Sequence, residues 1–163
     1  MKHLWAPWRL EYVSGGGQQH DCLFCWAVSG LESEDEERLV LYRGALNFVI
    51  INKYPYNNGH LMIAPFAHVA GFEEADHQQL EELMVLARAC TAILQKTYRP
   101  DGFNIGMNIG RAAGAGVVDH QHLHVVPRWE GDANFLTTVN ETRVVPETPE
   151  HAYERLRPAF VNL

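Results

Sequence analysis

Apolar and polar positions divide this chain into short segments that can be read one at a time. Leu39 to Tyr42 and Leu46 to Ile51 are apolar runs separated by Arg43-Gly44. That spacing predicts two strands joined by a turn, with Phe48, Val49, Ile50 and Ile51 suited to a buried strand. Tyr54-Pro55-Tyr56-Asn57-Asn58-Gly59 is dense in turn residues, and His60 to Ala64 predicts a third strand closed by Pro65. The period then changes. Leu80, Leu83, Met84, Ala87, Cys90, Thr91 and Leu94 recur at three- and four-residue spacing, which predicts one long helix over 73–98, stopped by Pro100-Asp101-Gly102. Phe103, Ile105, Met107 and Ile109 alternate with Asn104, Gly106, Asn108 and Gly110, the period of a strand. A glycine-rich loop from Gly110 to Gly116 leads to a further strand from about Asp119 to Arg128. The tail predicts a short strand near Arg143 to Val145 and a last helix with Thr148 as N-cap and Pro149 in its first position.

Composition narrows the class. The chain has 163 residues, 47% hydrophobic and 20% charged, which suits one folded domain and excludes disorder as the general state. Thirteen Lys and Arg against 20 Asp and Glu leave a net charge of −7, which argues against nucleic acid or a membrane surface as partner. No apolar run is long enough to span a bilayer. The start, Met1-Lys2-His3-Leu4-Trp5-Ala6-Pro7-Trp8-Arg9, carries aromatics and charge in place of a signal-peptide core, and three cysteines do not make a secreted disulfide framework. The expected location is cytoplasmic. Glu32 to Glu37 reads as a solvated acidic loop, and Cys90 as a buried inert thiol on the helix face.

His120-Gln121-His122-Leu123-His124 is the most informative stretch. In a strand its three histidines share one face, and burying three imidazoles in a plain sheet demands partners. A metal cluster or a catalytic histidine with supporting neighbours would supply them. The glycine-rich loop directly in front favours phosphoryl chemistry, since glycines let backbone N–H groups approach an anion while a neutral imidazole attacks phosphorus. Cys22-x-x-Cys25 has the spacing of half a zinc site, with a redox pair as the competing reading.

These residues resemble the histidine triad family. The His-x-His-x-His signature is joined by Phe48-Val-Ile-Ile-Asn-Lys-Tyr-Pro55 and Gly59-His-Leu-Met-Ile-Ala-Pro65, similar to the strand pair that precedes it there, and the likeness runs from Cys22 to Trp129. Leu4-Trp-Ala-Pro-Trp-Arg9 and Pro127-Arg-Trp-Glu-Gly-Asp-Ala-Asn-Phe135 resemble the bacterial diadenosine tetraphosphate phosphorylase-like group, near the fragile-histidine-triad branch. The resemblance implies a single domain over 1–163, with an arm at 1–20, a core at 22–129 and a tail at 130–163. It implies an α+β fold, a five-stranded antiparallel sheet with one long helix, and a ten-stranded sheet across a homodimer.

The same resemblance implies a nucleotidyl hydrolase or transferase acting on dinucleoside polyphosphates, adenosine types among them, with water or orthophosphate as acceptor. His122 would be the nucleophile, His124 would hydrogen-bond the phosphate, Asn108 with Gly114 and Gly116 would bind its oxygens, and Asn52 would bind ribose. Where many relatives carry Ser or Thr three residues before the first histidine, this chain has Val117, and the N–H of Gly116 or Val117 would substitute. Family likeness also completes the zinc site, with His68 and His120 joining Cys22 and Cys25. Four protein ligands leave no open position, so that zinc is structural. His60 is read as serving its turn, not the chemistry, and His3, His20, His77 and His151 as surface residues. A nucleoside phosphoramidase, or a zinc-stabilised nucleotide-binding module without turnover, are the alternative readings.

Overall fold

Two fully buried five-residue strands form the centre of the molecule. A computed structural model describes residues 21–132, 147–161 and 163. Its strands are β1 (Val40–Arg43), β2 (Asn47–Ile51), β3 (Leu61–Pro65), β4 (Gly102–Gly106) and β5 (Leu123–Arg128), and its helices are α1 (Leu23–Ser29), α2 (His77–Tyr98) and α3 (Pro149–Phe160). The strands make one antiparallel sheet in the order β1-β2-β3-β5-β4, the expected α+β arrangement. β2 and β3 are apolar on both faces because both faces are covered, one of them by α2.

The β1–β2 turn is held from outside the sheet. Glu82 of α2 accepts the N–H groups of Ala45, Leu46 and Asn47 and the Asn47 side-chain amide, at 2.7–2.8 Å. Burial pushes the Glu82 carboxyl up, and these donors together hold it below its ordinary value. α2 begins later than its periodicity suggests, because the Asp76 carboxylate accepts the Gln78 N–H and caps it there; Phe72–Glu74 form a separate 3-10 turn. Its buried face is Leu83, Leu86, Ala87, Cys90 and Leu94, whereas Met84 is 60% exposed. Cys90 is buried as expected, and burial pushes its thiol up to about 12. The helix ends at Arg99 in the left-handed region, before Pro100.

Two strand boundaries differ from the alternation read in the sequence. β4 stops at Gly106, and Gly110, with φ at 81°, turns the chain into the loop. β5 starts at Leu123 because the Gln121 N–H leaves the sheet for the Val69 carbonyl at 2.7 Å. α3 begins as expected, with the Thr148 hydroxyl accepting the His151 N–H. The aromatic arm and the strand near Arg143 to Val145 lie outside the described residues. Among the described residues no helix is long and apolar enough to cross a membrane.

Candidate active site and metal centre

The three histidines of the motif enter the site from different backbone. His124 lies in β5, paired with Met62 of β3 and Gly106 of β4. His120 and His122 precede the strand, where the Gln121–Val69 bond ties their segment to the loop carrying His68. The rings nevertheless form a continuous row. His68 and His120 centroids lie 5.2 Å apart, Phe24 touches both His120 (5.2 Å) and His122 (4.7 Å), His122 meets His124 at 4.9 Å, and His124 meets His60 at 5.1 Å.

Carbonyl acceptors fix two of the protonation patterns. The His120 Nε2–H donates to the Pro65 carbonyl at 2.9 Å, so its Nδ1 is bare and faces the sulfurs of Cys22 (3.3 Å) and Cys25 (3.6 Å). The His122 Nδ1–H donates to the His120 carbonyl at 2.9 Å, which leaves its Nε2 as the bare nitrogen. A backbone donor fixes the next pair. The Tyr56 N–H donates to His60 Nδ1 at 3.0 Å, so the His60 Nε2–H must donate to His124 Nδ1, also at 3.0 Å. His124 is thereby left with its Nε2–H to offer.

Burial favours the neutral form of His60, His120, His122 and His124. His60 is completely buried, and desolvation aided by His124 and His122 pushes it down to about 3. Desolvation, then His122, push His124 down to about 4. His120 and His122 also lie below their ordinary values through burial, opposed by their hydrogen bonds to carbonyls. Neutral imidazoles with assigned protons can act as nucleophile, ligand or hydrogen-bond donor without prior deprotonation.

His60 is the residue that sequence reasoning missed. It does serve its turn, but it also holds His124 directly, and only the pairing of strands 64 residues apart shows this. Asn52 stands beside it; its Oδ1 accepts the Tyr54 N–H at 2.9 Å and its Nδ2 lies 3.3 Å from His60 Nδ1. Any contact with a ribose hydroxyl has to share those atoms. Asn108 lines a groove with His124, and its amide has no hydrogen-bond partner among the described residues. In the glycine loop the Gly114 N–H is committed to the Arg111 carbonyl and the Ala115 N–H to Gly110, whereas that of Gly116 has no partner among the described residues. Val117 packs against the core. His77 and His151 are exposed as expected, and His3 and His20 lie outside the described residues.

Cys22, Cys25, His68 and His120 bring their four donor atoms within 4.8 Å of one another. Cys22 is the N-cap of α1, its sulfur accepting the Cys25 N–H, so one tight turn presents both thiols. Sulfur–nitrogen separations of 3.3, 3.3 and 3.6 Å link the two thiols to the two imidazoles. Zn–S of about 2.3 Å and Zn–N of about 2.0 Å in a tetrahedron require roughly 3.5 Å between S and N. The set therefore fits a tetrahedral Cys₂His₂ ion, and the Pro65 carbonyl already holds His120 in the tautomer that a metal needs. Cys25 and His68 form the exposed side of this cluster, and Cys22 and His120 the buried side.

Known proteins agree with this geometry. The HIT domain family matches residues 33–131. The AP-4-A phosphorylase of Mycobacterium tuberculosis is 37% identical over 152 residues, covering 90% of this chain and 78% of that protein. A zinc-bound histidine triad family protein from Mycobacterium smegmatis has a similar structure, with a TM-score of 0.68 and 27% identity over 86% of this chain and 94% of that one. A hypothetical histidine triad nucleotide-binding protein from Sulfolobus tokodaii gives 0.65 and 28%, over 87% and 93%.

Proposed function

The chain belongs to the HIT family of nucleotide hydrolases and transferases, and on that premise we propose that it splits dinucleoside polyphosphates of the diadenosine tetraphosphate type through His122. The bare Nε2 of His122 attacks the α-phosphorus, and the bond from that phosphorus to the bridging oxygen breaks, its electrons leaving with the polyphosphate. A nucleotidyl-histidine results. Water or orthophosphate then attacks the same phosphorus, the N–P bond breaks, and its electron pair returns to Nε2. His124 gives its Nε2–H to a phosphate oxygen, while Asn108 and the Gly116 N–H, with Gly114 shaping the turn, meet the others; Asn52 meets the ribose. Fixed donors and held reactants supply most of the acceleration.

The observation that carries this reading is the opposed tautomers of neighbouring histidines. His122 keeps a lone pair for phosphorus, and His124 keeps a proton for oxygen. The likeness to a named AP-4-A phosphorylase supports the substrate class. Cys22, Cys25, His68 and His120 would hold a structural zinc, which would fix the loop and the turn around His120. The whole chain acts as one domain in the cytoplasm, as a homodimer whose sheets join along β4, the sheet edge where Ile105 is 47% exposed.

Product analysis with diadenosine tetraphosphate, with and without orthophosphate, tests the reaction. ADP plus ATP appearing only with orthophosphate makes it a phosphorylase, and AMP plus ATP regardless makes it a hydrolase. Turnover of nucleoside phosphoramidates alone would overturn the substrate class. Nucleotide binding with no covalent species after acid quench would overturn the mechanism.

A further inference from the structure

A groove of about 380 Å³ runs away from His124 along β4 and β5. His124, Val126 and Arg128 alternate onto one face of β5 and line it, and their partners across the ladder are Gly106, Asn104 and Gly102. Two of those three partners are glycines, and a Cβ built on either would meet nothing within 4 Å. β4 thus offers bare backbone opposite His124 at one end and opposite Arg128 at the other. Four residues of strand separate these ends, a span of about 13 Å.

Tyr56 and His60, both against His124, close the side of the groove toward Asn52. The far end carries a guanidinium already neutralised, since Arg128 Nε and Nη2 each lie 2.7 Å from the Asp132 carboxylate, and its Nη1 donates to the Asn104 amide oxygen. A neutralised planar cation beside an amide is a poor trap for phosphate charge. It suits the flat face and polar edges of a nucleobase, or ribose hydroxyls. Val126, opposite Asn104, supplies apolar floor between the two ends.

We propose that this groove is the leaving-group subsite and takes the second nucleoside of a dinucleoside polyphosphate, with Asn104 and Arg128 meeting it at the far end. The assignment rests on the reaction proposed above and says which side of the attacked phosphorus the departing nucleotide occupies. Gly106 keeps the passage open. A mononucleotide derivative with a small leaving group has nothing to place there, so the groove selects for a long departing group.

Gly106→Val fills the passage with a β-branched side chain in extended backbone, where nothing stands in its way. The readout is kcat/KM for diadenosine tetraphosphate divided by kcat/KM for an adenosine 5′-phosphoramidate. The expected outcome is a fall of about 30-fold in that ratio, and of about fivefold in Asn104→Ala, which keeps the test alive if the valine variant does not fold. Native turnover of both substrates with an unchanged ratio in a folded variant overturns the subsite and leaves the reaction standing. Failure of the native protein to turn over either substrate overturns the reaction, and the subsite with it.

Discussion

The row of rings has two halves built from the same residue type and put to opposite uses. At one end, His68 and His120 turn ring nitrogens toward two sulfurs, that of His120 left bare by the Pro65 carbonyl. At the other, His122, His124 and His60 hand protons along hydrogen bonds until one lone pair and one N–H remain for a substrate. What separates the halves is which ring nitrogen a main-chain group has claimed. Pro65 takes the Nε2–H of His120 and exposes Nδ1; His120's own carbonyl takes the Nδ1–H of His122 and exposes Nε2. One residue therefore serves both, the side chain of His120 in the candidate metal cluster and its carbonyl behind the proposed nucleophile His122. The family match at 33–131 contains the whole substrate half but starts after Cys22 and Cys25, so the metal half borrows its sulfurs from outside it.

The largest effect should come from removing the lone pair in the substrate half. His122→Ala is expected to lower kcat by about 10⁴-fold or more, with AMP binding, measured calorimetrically, kept. Turnover within tenfold of native would show that the bare Nε2 is not the nucleophile. Next is the metal half. Cys22→Ser removes a ligand and the sulfur that caps α1. Bound zinc, measured by mass spectrometry of the native protein against the variant, should fall from about one per chain to near zero, with Tm lower by roughly 10 °C. A native protein without zinc would sink the metal assignment, and the substrate half would stand by itself.

His60 joins the halves of the sheet on the substrate side, and its replacement sharpens the comparison further. His60→Phe keeps a buried ring but no longer donates to His124 Nδ1, so His124 is free to adopt the other tautomer and withdraw its Nε2–H. A fall of about 10- to 100-fold in kcat is expected, with KM changed less. His60→Gln, whose amide can accept from Tyr56 and donate to His124, should recover part of it. Equal losses in both variants would mean that His60 only fills space.

Much of this was legible in the sequence, and the exceptions have physical causes. β2 and β3 read correctly because a strand covered on both faces is a continuous apolar run. The extra residues assigned to β5 reflect a limit of periodicity. His120 and His122 alternate as strand residues do, yet the backbone between them bonds to Val69, off the sheet. The three- and four-residue spacing includes Met84, one position from Leu83, although about 100° per residue carries it to the water side. The Cys₂ half of the metal set shows in local spacing, whereas His68 and His120 join it only across 43 and 95 residues. His60 is hidden for the same reason, and Gly59 at φ 67° marked a turn before it without saying what the histidine would meet.

Acid should distinguish the halves by the smallest and most graded effect. His60 and His124 are held at about 3 and about 4 in the folded chain, against 6.5 for an ordinary histidine. The unfolded chain therefore binds more protons at these sites between those limits. Their contribution to stability is complete above about pH 6.5 and is lost as pH falls toward 4 and then 3, with a slope of about 1.4 kcal/mol per pH unit for each site. Carboxylates titrate in the same range, so the difference between proteins matters, not the curve of either alone. Denaturant unfolding of the native protein and of His60→Gln at pH 7.5, 5.5 and 4.5 isolates it, because glutamine has the donor and acceptor for both hydrogen bonds and cannot take up the proton. The native protein should lose stability faster than the variant over that interval. Parallel curves would mean that His60 takes up its proton in the folded chain as readily as in the unfolded one, and that burial does not hold it neutral.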